Sequence, residues 1–298
     1  MTIGRVTQSM LTNRSLDRLQ SSLTRLSELQ EHLSTGRVLN RPSDNPADAA
    51  SAMRLRSSVG AQQQYARNAQ DGIGWLDTLD STLGTANDLV RRAREVGQQA
   101  VSGAVNQDTR EALAVEIEQL RSSLLGTANT TYLDRPVLGG TTAGAAAFSE
   151  AGGVVTYAGD ANPVKRAVAE GVVVDVAVAG PAAFGPDGDN VFDHLTALAA
   201  AVRTGSTSAI QAGVSALEGD GSRLVVARTD VGARADRVEQ AGIRAGDTEL
   251  SLTNALSEIE NTDLPLATVQ LKMQEVAYQA ALAATSRVLQ PSLLEFLR

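Results

Sequence analysis

Two histidines are the residues best suited to acid–base or metal chemistry, and their spacing supports neither. His32 and His194 lie far apart in sequence, and neither belongs to a zinc-type motif such as H-E-x-x-H. The chain has no cysteine, which removes disulfides, thiolate metal ligands and thiol nucleophiles together. The sequence therefore predicts no metal site, and we expect both histidines to be solvated or packing residues.

Other short motifs that could do chemistry are incomplete. Gly72-Ile73-Gly74 begins a dinucleotide-binding pattern, but Asp77 takes the third glycine position within a helical pattern. The run Gly185–Asn190 offers closely spaced acidic oxygens but lacks the glutamate that closes an EF-hand loop, so a surface turn is expected. No P-loop and no G-x-S-x-G elbow occur. We predict a protein that is not an enzyme and that binds no cofactor.

The charge balance excludes two classes of binding partner. The formal net charge is -8, whereas sequence-independent binding of nucleic acid needs a basic surface. The only lysines, Lys165 and Lys272, form no polybasic run that could dock on anionic lipid. The longest mostly apolar run, 172–184, is interrupted and too short to cross a bilayer. The first residues also lack the apolar core of a secretory signal peptide, so the chain, if it is exported, is expected not to leave by a cleaved signal.

The N-terminal segment has the pattern of a helix with one apolar stripe. Its leucines step by three and four residues, as in a coiled coil, and an ordinary amphipathic helix is the alternative. The stripe consists of Leu16, Leu19, Leu23, Leu26 and Leu33. A proline-containing turn then leads to a helix start in which Asn45 is the N-cap and Pro46 the first helical position. The pattern stays helical to about Val101, longer than globular helices usually run.

The middle of the chain changes character. Asp108 and Glu111 predict a capping box for a third helix. After Asn129 the sequence is rich in Gly, Ala, Val and Thr, and 154–158 and 172–179 are predicted strands. Two shorter helices, 191–203 and 208–217, are expected to follow. Aromatic residues make up only 3% of the chain, so its interior is expected to consist of Leu, Val, Ile and Ala.

A strict seven-residue repeat follows and is the strongest periodicity in the chain. A repeat held this long predicts a left-handed supercoil with a partner helix. The predicted seam consists of Leu224, Val231, Val238, Ala245, Leu252 and Ile259. The positions between them, among them Arg228, Gly242 and Glu249, are mixed, so the partner should pack closely at some levels and leave others wet.

A last helix is expected from about Leu266 to Leu289, and the chain then ends on large apolar residues. Because free termini are normally solvated, this end is predicted to need a partner. The residues predicted to form an assembly interface here are Val269, Met273, Val276, Ala280, Leu293, Leu294, Phe296 and Leu297, together with the N-terminal leucine stripe.

These patterns predict a mainly α fold with a small β insert, in which both chain ends form a long antiparallel helical coiled coil around a central β-rich domain. Three parts are expected. Residues 1–40 and 262–298 form a terminal helical pair. Residues 41–130 and 208–261 form a helical rod domain, and residues 131–207 form a β-rich insert with a short helix.

Two segments resemble the flagellin superfamily. Leu33–Leu83 is similar to its N-terminal region, in which an LSTG turn and a Ser-Asp-Asn-Pro-Ala step introduce a long helix. Val231–Arg234 with Leu256–Leu297 resembles its C-terminal region, where a Gly-Ala-Arg helix, a break and a terminal Ser-Leu-Leu-x-x-Leu follow one another. The break here is Ser257–Asp263. Together the two segments cover well over half the chain in the same order.

The insert favours the superfamily's junction proteins over its filament flagellins. Gly139-Gly140-Thr141, Phe148 and Val155–Asp160 follow the order of the junction proteins, and Arg5–Met10 resembles their N-terminus. Two stretches depart from that pattern. Residues 136–138 stand where an aromatic residue often precedes the Gly-Gly-Thr, and the stretch 181–189 is longer than expected. A minor flagellin of the filament is the alternative. A cytoplasmic coiled-coil scaffold, or an enzyme with its site in the β insert, is the alternative from another class.

The resemblance implies a structural subunit of the bacterial flagellum, located outside the cell and exported unfolded through the flagellar type III apparatus with its N-terminus uncleaved. It implies helical self-assembly at the junction of hook and filament, where the subunit is the adaptor on which flagellin polymerises. The resemblance of the two chain ends also implies that the terminal helical pair, 1–40 with 262–298, is disordered until assembly. The implied partners are hook-associated protein 1, flagellin, further copies of the chain, an export chaperone and the export apparatus. Neither nucleic acid nor membrane insertion is implied.

Overall fold

The computed structural model describes residues 3–101, 106–142, 144 and 146–289, and these are mainly α-helical with a small β insert, as predicted. The helices are α1 (Ile3–Thr35), α2 (Pro46–Val101), α3 (Gln107–Ala128), α4 (Gly180–Phe184), α5 (Val191–Thr204), α6 (Thr207–Glu260) and α7 (Leu264–Leu289). The strands are β1 (Thr131–Tyr132), β2 (Arg135–Pro136), β3 (Phe148–Ala151), β4 (Val154–Tyr157), β5 (Lys165–Ala169) and β6 (Val172–Asp175).

Two helix starts test the capping predictions. The Asn45 side-chain oxygen accepts from the backbone N–H groups of Ala47 at 3.1 Å and Asp48 at 3.2 Å, so the predicted N-cap of α2 is confirmed. The predicted capping box at Asp108 is wrong. Asn106 is the N-cap of α3, because its backbone is extended and its side chain accepts from the Thr109 N–H at 2.8 Å.

The chain divides into two compact units, Met1–Gly60 with Leu250–Arg298, and Ala61–Glu249. In the second unit α2 and α6 run antiparallel over their shared length. Arg228 contacts Asp80, whereas Glu249, later on α6, contacts Gln63, earlier on α2. Buried α2 residues that keep the expected stepping of three and four include Leu76, Leu79, Leu83, Ala86, Val90, Ala93 and Val96.

The mixed positions of α6 explain how this pair is spaced. A Cβ added to Gly242 would lie 3.2 Å from the Ala69 Cβ, so the two backbones approach closely there. Arg228 forms a forked contact with the Asp80 carboxylate at 2.8 and 3.0 Å, and Gln63 donates to Glu249 at 2.8 Å. The pair therefore has both a level of close backbone approach and levels of polar contact, as the mixed positions predicted.

One helix boundary differs from the prediction. Ser208–Leu217 is not a separate short helix, because α6 runs without a break from Thr207. Gly219 and Gly221 favour an end locally, since each glycine costs about 1 kcal/mol of helix propensity. Burial of Ile210 and Leu217 against the core outweighs that local cost.

The β insert consists of three short antiparallel pairs rather than one sheet. β4 and β6 coincide with the predicted strands but are shorter, and each pairs with a preceding strand that the sequence pattern does not predict. Residues 176–179 are not strand. The Val176 N–H donates to the Val164 carbonyl at 2.8 Å, which ends the pair and leads the chain toward α4.

Aromatic side chains form the centre of the insert. Phe148 lies 5.4 Å from Tyr157, 5.5 Å from Phe184 and 5.4 Å from Phe192 between ring centroids. The expectation of an interior without aromatic residues is therefore correct for the α2/α6 seam and wrong here. A small β-rich segment has few positions to bury, and an aromatic ring covers the most area per position.

In the first unit, α1 packs antiparallel against α7, and the segments that interrupt the helices pair with each other. Arg37 and Asn261 form an isolated antiparallel bridge. The Val38 N–H donates to the Glu260 carbonyl at 2.8 Å, and the Thr262 N–H donates to the Gly36 carbonyl at 2.9 Å. The turn after α1 and the break before α7 thus form one hydrogen-bonded joint.

Candidate assembly interface

The surface of α1 that packs on α7 is a half-buried stripe that includes serine as well as leucine. Its members recur every three or four residues, so they lie on one face of the helix. They are Ser15, Leu19, Ser22, Leu26, Leu29 and Leu33. The opposing face of α7 has the same spacing and consists of Ala267, Leu271, Gln274, Tyr278, Ala281 and Thr285.

One polar contact sets the register of this pair. The Gln274 amide donates to the Ser22 hydroxyl at 2.8 Å and to the Ser22 carbonyl oxygen at 3.2 Å. A polar pair within a partly apolar seam favours one alignment, because sliding the helices would leave its groups unpaired. The interface predicted from the sequence includes neither residue. Their stepping is visible in the sequence, but an apolar stripe does not contain them.

The predicted leucine stripe of α1 divides into two columns. Leu19, Leu26 and Leu33 are half-buried on the face toward α7. Leu16 is 49% exposed and Leu23 is 50% exposed, so this second column remains accessible in the single chain. The predicted residues therefore serve the α1/α7 contact only in part.

The predicted residues of α7 all lie away from the α1 contact. Val269 is 57% exposed, Met273 63% and Val276 65%, and Ala280 is exposed as well. Leu266, 54% exposed, continues the same stepping of three and four. A single helix thus carries two stripes, a mixed one facing α1 that includes Leu271 and Gln274, and one of exposed, mostly large apolar residues.

The two exposed apolar columns lie on opposite flanks of the α1/α7 pair. A groove between the helices is lined on α1 by Arg25 and His32 and on α7 by Met273. At 3.6 residues per turn, Leu23 points roughly 160° away from Arg25. The α7 stripe therefore borders the groove, whereas Leu16 and Leu23 form the other flank. The pair presents two different apolar surfaces rather than one.

The remaining predicted residues fall into three groups. Leu293, Leu294, Phe296 and Leu297 lie outside the described residues. In the second unit, the predicted seam residues Leu224, Val231, Val238 and Ala245 are buried. In the first unit, Leu252 and Ile259 are half-buried.

His194 has more partners than the sequence suggested. Its Nδ1 lies 2.7 Å from Asp220 Oδ2, an arrangement that orients a general base in many enzymes. Its Nε2 faces Asp189 Oδ1 at 3.0 Å, so the nitrogen that would serve a nucleophile is engaged by a second carboxylate. This geometry favours a structural role over a catalytic one.

The described part of the chain offers neither a metal site nor a membrane span. Among its residues, no three His, Asp or Glu side chains are grouped so as to hold a metal ion. No described helix combines the length and the apolar character that crossing a membrane requires.

Comparison with known proteins connects this architecture to the flagellum. Residues 6–138 match the family model described as the bacterial flagellin N-terminal helical region. Flagellar hook-associated protein 3 of Escherichia coli (strain K12) is 24% identical over 314 residues, which span 94% of this chain and 95% of that protein. Phase 1 flagellin of Salmonella naestved is 32% identical, but over 126 residues that cover 42% of this chain and 24% of the flagellin.

The fold agrees with the sequence comparison. The structure of a putative flagellar hook-associated protein from Vibrio parahaemolyticus superposes with a TM-score of 0.68 at 19% identity, covering 73% of this chain and 100% of that one. The resemblance to the flagellin superfamily is therefore confirmed, and it extends to the hook-associated protein 3 type.

Proposed function

We propose that this flagellin-related chain is a structural subunit of the bacterial flagellum and forms the junction between hook and filament. The supporting observation is the extent of similarity. Likeness to a hook-associated protein 3 runs through both ends and the insert, whereas likeness to the flagellin stops after 126 residues. The proposed role needs no chemical step, in keeping with a His194 whose ring nitrogens both face carboxylates.

The mechanism we propose is open-ended self-assembly through the two apolar flanks of the α1/α7 pair. The column of Leu16 and Leu23 in one copy would pack against the α7 stripe of the next. Because the two surfaces differ, each copy leaves one of them free for a further copy, which propagates a helical tube. Burying exposed side chains such as Val276 removes apolar surface from water, which favours this contact. Hook-associated protein 1 and flagellin would dock at the two ends of this layer.

Deleting the gene tests the junction role. Cells without the protein should keep their hooks, lack filaments and release flagellin into the medium. Complementation with the intact gene should restore filaments. Normal filaments in the deletion strain would contradict the proposal.

A minor filament flagellin is the second candidate, supported by the higher identity over the flagellin-like segment. The two roles differ in polymerisation. A flagellin added to filament seeds should extend them into long polymers, whereas a junction subunit should stop at a short cap. Electron microscopy of seeds incubated with the purified chain separates the outcomes.

We further propose that the terminal pair, 1–40 with 262–298, orders stably only on assembly. The rest of the chain is proposed to form a helical rod, 41–130 with 208–261, and a β-rich insert, 131–207. The α1/α7 seam is thin, since Ser15, Ser22 and Thr285 occupy positions where a stable pair would bury large apolar residues. Protease should cut the terminal helices of the monomer quickly and those of purified flagella slowly. Equal rates in both would contradict this order of events.

Export is proposed to use the flagellar type III apparatus, with a chaperone covering the apolar C-terminal end and with the N-terminus retained. Mass spectrometry of sheared flagella should find the peptide that begins at Met1 or Thr2. An N-terminus that starts further along the chain would point to cleavage and to another route.

A further inference from the structure

His194 joins three elements of the second unit. It lies in the first turn of α5, it contacts Asp220 on α6 at 2.7 Å through Nδ1, and it contacts Asp189 in the preceding turn at 3.0 Å through Nε2. The Gly185–Asn190 turn is therefore connected to α6 through an imidazole.

The charges around this imidazole are unequally exposed. Asp220 is 1% exposed, and its other oxygen, Oδ1, accepts from Arg223 Nη1 at 3.3 Å. The Asp189 side chain is 70% exposed. Asp193, the neighbouring residue, is engaged through its backbone N–H, which donates to the Asn190 side chain at 2.9 Å. The imidazole thus lies between one buried and one solvated carboxylate, with a single guanidinium behind the buried one.

The turn is also bonded to the β insert. Asp187 Oδ1 accepts from the Tyr157 N–H at 2.9 Å, and the buried Asn190 amide donates to the Val155 carbonyl at 3.2 Å. The turn is therefore hydrogen-bonded both to α6, through His194, and to β4.

We propose that His194 is a pH-sensitive latch that holds the Gly185–Asn190 turn and the start of α5 to α6. A protonated imidazole has two N–H donors, one for each carboxylate. A neutral imidazole has one donor, so one carboxylate then faces a ring nitrogen lone pair. Deprotonation removes a charge-assisted hydrogen bond and leaves repulsion in its place.

The pKa directions agree with this geometry. Burial by itself lowers the pKa of His194, but the hydrogen bond and charge of Asp220, followed by those of Asp189, outweigh it and raise the pKa above its usual value. Burial raises the pKa of Asp220, against the opposing influence of His194 and Arg223. A histidine whose pKa is higher in the folded state stabilises fully below its unfolded value near 6.5 and loses that contribution as pH rises through the folded value. The latch is therefore closed below about pH 6.5 and weakens as the pH rises through the folded pKa of His194.

The first test is an NMR titration of the His194 imidazole in the full chain. Replacing His32 by Gln leaves His194 as the only histidine, so its ring signals are unambiguous. The measured pKa should exceed about 6.5 and should fall in Asp189→Asn, which removes the exposed carboxylate and leaves the buried one. A pKa at or below about 6.5, or one that Asp189→Asn leaves unchanged, overturns the proposal.

The second test is amide hydrogen exchange at pH 6 and pH 8, corrected for the intrinsic rates. Protection of amides 189–194 should fall at the higher pH, by up to about tenfold for each unit by which the His194 pKa exceeds its unfolded value. In His194→Gln, which cannot titrate in this range, the protection should be the same at both pH values. Amides 76–83 of α2 are the internal reference. Equal pH dependence in the wild type and His194→Gln overturns the proposal.

Discussion

Gln274 on α7 donates its side-chain amide to both the hydroxyl and the carbonyl oxygen of Ser22 on α1, across 252 residues of sequence. This contact aligns the two ends of the chain. The exposed large apolar residues of α7, Val269, Met273 and Val276, lie on another face. The surface proposed for assembly is therefore the one that the intramolecular contact leaves free.

Removing that amide should loosen the α1/α7 pair. Gln274→Ala loses a hydrogen bond in a half-buried seam, so we expect a loss of about 0.5–1.5 kcal/mol. Amide exchange of residues 15–33 should become faster in the variant. Gln279→Ala is the matched control, since Gln279 lies exposed on the same helix. Equal effects of the two variants would show that Gln274 does not align the pair.

Charges on the α7 stripe should block assembly without unfolding the subunit. Val269→Asp with Val276→Asp places two carboxylates in a surface proposed to become buried, where unpaired charge is costly. The circular dichroism of the monomer should stay unchanged, because both positions are more than half exposed. The deletion strain carrying this variant should lack filaments. Thr268→Asp adds one charge at an exposed position about 80–100° around the helix from Val269 and Val276, and this control should assemble. Loss of filaments in the control would implicate charge alone.

Truncation should separate assembly from folding. Removing residues 1–40 or 262–298 deletes one partner of the α1/α7 pair but leaves the second unit, 61–249, untouched. We expect each truncated chain to remain soluble and folded and to be missing from sheared flagella. Trp75, buried in the second unit, reports its folding by fluorescence. Normal incorporation of either truncated chain would show that the paired ends are not the assembly element.

The close approach of α2 and α6 should tolerate little added volume. Gly242→Leu adds a side chain at a position where even an added Cβ would lie only 3.2 Å from the Ala69 Cβ. We expect the free energy of unfolding to fall by about 1–3 kcal/mol. Gly232→Ala, on the same helix with open space around it, should instead stabilise the chain by about 0.5–1 kcal/mol. Urea unfolding followed by Trp75 fluorescence measures both. Two changes of the same sign would argue against close packing at Gly242.

The Asp160 carboxylate should make the insert sensitive to acid. It accepts from the Thr141 hydroxyl and N–H, both at 2.7 Å, and these bonds, the hydroxyl first, hold the pKa of Asp160 below its usual value. The stabilisation is present above about pH 3.9 and is lost as pH falls through the folded value. Asp160→Asn should therefore lower the thermal midpoint at pH 7 and do so less at pH 3. Asp134→Asn, which removes an exposed carboxylate elsewhere in the insert, is the control for the loss of one charge.

Periodicity and capping in the sequence determined most of the helical architecture. Asn45 and Pro46 marked the start of α2, and the seven-residue repeat marked α6, because these signals depend on local backbone geometry and on one apolar face per helix. The predicted strands correspond to β4 and β6, but β1, β2, β3 and β5 were missed. Such short strands exist through their pairing rather than through an apolar pattern of their own.

The tertiary structure alone decided which apolar stripe meets which partner. Leu16 and Leu19 have the same side chain and similar spacing to their neighbours, yet one is exposed and the other is half-buried. The antiparallel register held by Ser22 and Gln274 makes that choice, and it also leaves Val269 and Val276 accessible. The sequence likewise contained His194, Asp189 and Asp220 without showing that they meet. Spacing along a chain predicts the face of a helix, whereas the partner of that face depends on contacts between residues far apart in sequence.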